Sequence, residues 1–225
     1  MGTEKQVVLV PWRTDNGSRE LIWSEIRKKY WDEDRYYIVE GSCDDGPFNR
    51  SQAINNAFNT LLDGPSYVSG DVLVIADADS WVPSRQLEDA VELARFTGKL
   101  VIAHNGTWMN DKMTVDHAVS SMLAVPVELF IKVNGFDERF KGWGCEDRAF
   151  HRICKLAAGD PVVMTWGTPV FHKEHEREVA PDVRWLLRHD EQFKKNWLLL
   201  DRYKRSHDFD TAIALRQEAE SGAVL

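Results

Sequence analysis

Short, unbroken apolar runs alternate along the chain with stretches whose apolar residues recur at helical spacing. Val7-Val8-Leu9-Val10, Val72-Leu73-Val74-Ile75-Ala76 and Leu100-Val101-Ile102-Ala103 are the runs, with Tyr36-Tyr37-Ile38-Val39-Glu40 a further strand signal. Their length predicts strands buried on both faces. Ile22, Trp23 and Ile26 predict a helix from Arg19 to Tyr30, with Ser18 in the capping position. Ala53, Ile54, Ala57, Phe58 and Leu61 predict a second helix, opened by Phe48-Asn49-Arg50 and running through Leu62. Leu87, Val91 and Ala94 predict a third, capped by Ser84.

Farther on, Pro126 starts a short helix and Gly135 stops it. Ala149, Phe150, Ile153 and Leu156 lie on one face of a helix from Arg148 to Ala158. Pro161 to Met164 and Val170 to Glu176 read as late strands, and Val183 to Leu200 and Thr211 to Ala219 as amphipathic helices. Strands alternating with helices predict an α/β domain with a mostly parallel central sheet. Residues 1–180 are expected to form that domain, and residues 181–225 a helical extension packed on or beside it.

In such sheets ligands bind beyond the carboxyl ends of the strands. Arg13, Glu40, Asp79 and His104 all fall there, so polar chemistry collects on one edge. Asp77-Ala78-Asp79 ends the strongest buried strand. Two carboxylates in an Asp-x-Asp pattern on extended chain face the same way, and together suit a divalent cation that in turn holds a diphosphate. His172, after a late strand, offers an imidazole to complete such a site, and His175 competes for that role. Arg13 and Arg50 are forks suited to phosphate oxygens, and Phe48 is placed to stack on a base. In Gly142-Trp143-Gly144-Cys145-Glu146-Asp147, glycines allow close backbone approach and Trp143 offers a flat face to a sugar. Asp147 is the candidate general base and Glu146 a partner for an acceptor hydroxyl.

Composition narrows the classes. With 43% hydrophobic and 28% charged residues the chain reads as globular. Its net charge of -8 argues against nucleic acid as a partner. No apolar run reaches the roughly 18–20 residues of a membrane span. Three cysteines in no zinc or disulfide spacing read as reduced thiols, so a cytoplasmic protein is expected.

Taken together and in order, these motifs resemble the GT-A glycosyltransferases. They are Pro11-Trp12-Arg13, Phe48-Asn49-Arg50, Asp77-Ala78-Asp79, the run from Asn134 to Phe140, Gly142 to Asp147, and His172. The pattern is most similar to the β-1,4-galactosyltransferase group. It is shared in part with bacterial chondroitin-polymerase-type transferases and polypeptide GalNAc-transferases. The resemblance spans about Val7 to His175 and implies a GT-A, Rossmann-like fold. It implies a UDP-sugar donor, Mn²⁺, and a carbohydrate, peptide or other hydroxyl acceptor. Arg13 and Arg50, with Pro11 and Glu40 beside them, would lie on the donor diphosphate and nucleotide, and Phe48 against uracil. Asp79 and His172 would hold the metal, with Asp77 nearer the ribose and donor sugar. Trp143 would face the sugars, and Glu146 and Asp147 the acceptor.

In the family pattern a second glycine stands where this chain has Cys145, so a different backbone is expected there. The membrane anchor and lectin module common in eukaryotic relatives are not seen, so a Golgi role is not expected. Asp147 favours inversion. A retaining mechanism like that of the polypeptide GalNAc-transferases is the alternative. A metal-dependent nucleotidyltransferase or phosphohydrolase would leave the Gly-Trp-Gly segment unused, and a non-catalytic nucleotide-sugar binder would leave Asp147 unused.

Overall fold

The apolar runs form the middle of one sheet. A computed structural model describes residues 5–14, 17–44, 46–63, 71–109, 112–114, 121–173 and 183–220. The main sheet is built from β1 (Gln6–Pro11), β2 (Tyr36–Gly41), β3 (Val72–Ala76), β5 (Val101–Ile102), β8 (Met122–Pro126) and β9 (Val162–Val163). Their order is β2-β1-β3-β8-β5-β9. β1 pairs in parallel with β2 and β3, and β5 with β9, whereas β8 runs antiparallel between β3 and β5. The sheet is therefore mixed, mostly parallel, and flanked by helices, as the alternation predicts. The direction of β8 carries no mark in its composition, because a strand buried on both faces has the same apolar run either way.

A second, smaller sheet stands at the carboxyl edge. It contains β4 (Ser80–Trp81), β6 (Thr107–Met109), β7 (Lys112–Thr114) and β10 (Val170–His172), in the order β4-β10-β6-β7. The pairing of β4 with β10 sets Ser80 opposite His172.

Strand alternation sends side chains to two cores. Leu73 and Ile75 join one core with α2 (Arg50–Asp63), α4 (Val127–Lys132) and α5 (Glu146–Ala158). Val72, Val74 and Ala76 join the other with α1 (Ser18–Tyr30) and α3 (Ser84–Thr97). The first core continues into α6 (Val183–His189), α7 (Glu191–Arg205) and α8 (Phe209–Glu220) through Leu186, Phe193, Leu200, Tyr203 and Leu215. Close packing puts α2 hard against the end of β2. A Cβ at Gly41 would lie 1.9 Å from the Ala53 carbonyl oxygen, so only glycine fits.

Several helix ends differ from expectation. Ser18 and Ser84 are the first helical residues of α1 and α3. Gly17 and Pro83 take the cap positions, and neither helix has a side-chain cap bond. At α2, Asn49 does the capping instead, its Oδ1 accepting from the Gln52 N–H at 3.0 Å. The run from Val183 to Leu200 is two helices rather than one. Asp190 interrupts it in extended conformation and accepts from the Phe193 N–H, which starts a new helix. The last part of the late strand read from Val170 to Glu176, residues 174–176, lies outside the described residues.

Candidate active site

Four segments bring carboxylates and cations together at the carboxyl edge of the sheet: the end of β3, the start of α2, β10 and the start of α5. Asp77 leaves β3 into a tight turn, with the Ser80 N–H bonded to its carbonyl at 3.1 Å. Asp79 follows and accepts from the Ser80 hydroxyl at 3.0 Å. Because β4 pairs with β10, the His172 Nε2 lies 3.2 Å from the Asp79 Oδ2. The Lys173 N–H donates to the Asp79 carbonyl at 2.8 Å, which locks the two segments in register. An oxygen and a nitrogen ligand are thus paired, a donor set that fits a Mn²⁺-type ion. Among the described residues no group of three or more His, Cys, Asp or Glu converges on a metal position. Further ligands would come from a bound donor, from water or from residues outside that set. His175 lies outside the described residues.

Arg50 stands between Asp77 and the start of α5. Its Nε and Nη2 each donate to the Asp77 Oδ1 at 2.9 Å, and its Nη1 lies 4.0 Å from the Glu146 Oε1. Burial opposes its charge, but Asp77, Glu146 and Asp147 outweigh burial and raise its pKa. Asp77 is pushed above the usual carboxylate range by burial, against the pull of Arg50 and with a push from Asp79. Arg50 therefore bridges the two halves of the site with part of its fork committed to Asp77.

Glu146 and Asp147 open α5, where the helix dipole favours negative charge. The Asp147 carboxylate accepts from the Arg148 N–H at 2.7 Å. Glu146 is raised to about 7, first by burial and then by the neighbouring Asp147, with Arg50 opposing. An acid whose folded pKa exceeds its unfolded one binds protons more tightly when folded. Its ionisation therefore costs stability as pH rises from about 4.5 to about 7, and costs nothing below that window. Glu146→Gln is expected to be stabilising relative to the parent protein by about 3 kcal/mol at pH 8, and by little at pH 4.5. Urea denaturation of both proteins at the two pH values measures this. An equal difference at both would exclude the shift.

The Gly142 to Cys145 segment is held in unusual backbone. Gly142, Gly144 and Cys145 have φ of 68°, 89° and 83°. Cys145 thus holds the left-handed conformation that glycine favours. A non-glycine residue pays about 1–2 kcal/mol in that region. The buried Cys145 side chain offsets part of this by packing in the core. Burial also raises its thiol to about 12, so it is not a nucleophile at neutral pH. Cys145→Gly is expected to fold with stability within about 1 kcal/mol of the parent, whereas Cys145→Val, branched at a positive φ, should lose more than about 2 kcal/mol. Urea midpoints of the two variants test the pair.

Trp143 is 53% exposed and stacks on Phe193 with centroids 5.7 Å apart. Phe48 lies under the Arg13 guanidinium at 5.5 Å. Arg13 also donates to the carbonyls of Asp44 and Gly46 and to the Cys43 Sγ, so it organises the loop after β2. Pro11 is the buried last residue of β1, opposite Gly41. Glu40 is turned to the side, accepting from the Trp23 Nε1 at 2.8 Å and pairing with Arg27 at 2.7 Å. His104 is buried, bonded to the Gly106 carbonyl, and lowered to about 4 by burial, which keeps it neutral. The structure thus gathers Arg50, Asp77, Asp79, Glu146, Asp147 and His172, and commits the Glu40 carboxylate elsewhere.

Two residues of this region escape sequence reading. Asp137, 4% exposed, is gripped by Arg139 at 2.7 Å, Arg216 at 3.3 Å and the Tyr203 hydroxyl at 2.7 Å. Asn196 on α7 bonds the loop that carries Trp143. Asp137 is visible in sequence only as part of its motif, and the structural roles of both depend on partners from distant segments, Arg216 and Tyr203 for Asp137 and the loop from Lys141 to Gly144 for Asn196.

Known proteins share this fold. A family model described as the N-terminal domain of galactosyltransferase matches residues 108–160. No curated protein matches the chain in sequence. Among solved structures, the catalytic domain of Drosophila β1,4-galactosyltransferase 7 in complex with xylobiose superposes with a TM-score of 0.54. It is 21% identical over 92% of this chain and 84% of that one. A mutant of the same Drosophila enzyme with manganese, UDP-Gal and xylobiose gives a TM-score of 0.50, with 22% identity over 80% of this chain and 76% of that one. GalNAc-T7 with UDP, GalNAc and Mn²⁺ gives 0.51, at 10% identity over 96% of this chain and 55% of that one. The chain has the GT-A fold and resembles glycosyltransferases of these kinds.

Proposed function

We propose that the protein is a metal-dependent glycosyltransferase, moving a hexose or N-acetylhexosamine from a UDP-sugar to a hydroxyl acceptor with inversion. The observation that carries this reading is Arg50, which pairs with Asp77, two residues before the Asp79 that faces His172, and comes within 4.0 Å of Glu146. A metal-binding pair and an adjacent carboxylate pair, joined by one buried guanidinium, suit a reaction that separates a diphosphate from a sugar and deprotonates an alcohol. The glycosyltransferases of like fold support it.

Asp79 and His172 would hold Mn²⁺, which neutralises diphosphate charge when bound. Arg13 and Phe48, at the mouth of the loop after β2, would receive the nucleotide. Asp147 takes the proton of the acceptor hydroxyl. The acceptor oxygen bonds to the anomeric carbon from the face opposite the diphosphate, the bond from that carbon to the diphosphate oxygen breaks, and UDP leaves. Glu146, raised to about 7 and so shared between its acid and carboxylate forms at neutral pH, hydrogen-bonds the acceptor. A cytoplasmic location belongs to the same proposal.

The test is a panel of UDP-sugars with Mn²⁺, with xylobiose among the acceptors because a relative binds it, reading UDP release and the anomeric configuration of the product. Inverted product supports the reading, retained product overturns the mechanism, and no UDP release with any donor overturns the function. Asp79→Ala is expected to abolish Mn²⁺-dependent UDP binding by calorimetry. Undiminished binding would remove Asp79 from the metal site.

A further inference from the structure

The segment from Lys141 to Cys145 belongs to no helix or strand, and three of its residues have positive φ. Such a loop needs an outside scaffold to hold a defined shape. One anchor is the Gly142 N–H, bonded to the Phe48 carbonyl at 3.1 Å. Another is the Cys145 carbonyl, bonded by the Ala149 N–H at 3.1 Å, and several more come from one side chain, Asn196, on a helix that carries none of the motif residues.

Asn196 is 1% exposed. Its Nδ2 donates to the carbonyls of Lys141 at 2.9 Å, Gly144 at 3.1 Å and Trp143 at 3.4 Å. Its Oδ1 accepts from the Lys141 N–H at 3.4 Å and from the Gln192 Nε2 at 3.0 Å, which orients the amide. Phe193, three residues earlier on the same helix, provides the surface on which the exposed Trp143 ring stacks. A Cβ at Gly144 would approach the Phe193 ring to 3.2 Å, so helix and loop are in close contact. One face of α7 therefore sets both the backbone of the loop and the plane of its aromatic side chain.

We infer that Asn196 is a positioning residue for the acceptor. By clamping Lys141 to Gly144 onto α7, it fixes the Trp143 face against which an acceptor sugar rests, at a set distance from Glu146 and Asp147. This rests on the glycosyl-transfer reading given above. The clamp touches none of Asp77, Asp79 or His172, and the loop meets the donor side through the Gly142 bond to the Phe48 backbone, so its effect falls mainly on the acceptor. A displacement of about 1 Å at a positioning group costs on the order of 10²-fold in rate.

The experiment compares the parent protein with Asn196→Asp, which keeps the volume but removes the donor hydrogens, and with Gln192→Ala, a milder change that only frees the amide to turn. Hydrogen exchange of the peptide spanning 141–145, Mn²⁺-dependent UDP binding by calorimetry, and acceptor kinetics with xylobiose and the active UDP-sugar are measured. For Asn196→Asp the expected result is exchange faster by at least about tenfold in that peptide, UDP binding within about twofold of the parent, and acceptor kcat/KM lower by on the order of 10²-fold. Gln192→Ala should move the same readouts in the same direction by less. Unchanged exchange in both variants overturns the clamp, whatever the activity. Faster exchange with unchanged acceptor kinetics overturns the acceptor role. Equal loss of UDP binding and acceptor kinetics shows a general structural role and also overturns it. A parent protein that transfers no sugar, with the loop exchange still altered, overturns the proposed function and the acceptor role with it, while the clamp stands.

Discussion

Asp147→Asn is expected to lower sugar transfer by about 10²–10⁴-fold while leaving Mn²⁺-dependent UDP binding intact. That range is what a positioned general base contributes. The substitution is nearly isosteric, and the backbone bond that Asp147 accepts from Arg148 can be kept by the amide oxygen. Asp147 lies on α5, whereas Asp77 follows β3 and His172 ends β10, so the donor half should be untouched. The neighbouring carboxylate makes the variant informative in a second way. Asp147 helps to raise Glu146, so Asp147→Asn should lower the Glu146 pKa. A variant that transfers as fast as the parent would remove Asp147 from the base role. Stopped-assay UDP release under saturating donor, beside calorimetry with UDP, separates the two effects.

Asp137→Ala is expected to be the most damaging change to stability, by about 3–5 kcal/mol. The carboxylate is buried, yet its pKa is lowered. Burial pushes it up, but the Arg139 bond, the Arg216 charge and the Tyr203 hydroxyl more than compensate. Removing it leaves Arg216, itself buried, facing no carboxylate, although Arg216 still donates to the Phe136 carbonyl at 2.7 Å. The effect is not local. Arg216 lies on α8 and Tyr203 on α7, so Asp137 ties both helices to the loop that precedes the acceptor segment. Loss of stability should therefore be accompanied by early release of α7 and α8, seen as faster hydrogen exchange there than in β3. The pH dependence has the opposite sign to that of Glu146. A carboxylate lowered on folding adds stability above the ordinary Asp range, and that stability is lost as pH falls through it. A urea midpoint for Asp137→Ala close to that of the parent would show the hub to be dispensable.

Sequence reading reached the parts of this protein that are written locally. Val72 to Ala76 is legible as a core strand because all five residues are apolar and both faces are buried. Asp79 is legible because it follows that strand, and the carboxyl ends of strands are where ligands bind. Asn134 to Asp147 is legible as a block because its glycines, aromatics and carboxylates fall in a recognisable order. What could not be read depends on contacts between distant segments. The antiparallel course of β8 has no compositional mark. Asp190, one acidic residue in an amphipathic stretch, reads as part of the polar face until its bond to the Phe193 N–H is seen. Glu40 has the right position for a donor ligand, but Trp23 and Arg27, on a helix packed beside it, claim its carboxylate. Asp137 resembles the other carboxylates of its motif in sequence, and only Arg216 and Tyr203 reveal that it holds the structure together.

The pairing of β4 with β10 also bears on the order in which this protein becomes itself during folding. β1, β2 and β3 pair among segments from the first third of the chain, and could associate early. His172 reaches Asp79 only when a strand made much later closes against the turn after β3. The loop carrying Trp143 likewise waits for α7. Contacts of such long sequence separation form late and slowly. A nascent or partly unfolded chain can hold most of its central sheet while the Asp79–His172 pair and the Trp143 loop of the proposed site are still unformed. Protection by UDP and Mn²⁺ should accordingly select for chains whose last third has already docked.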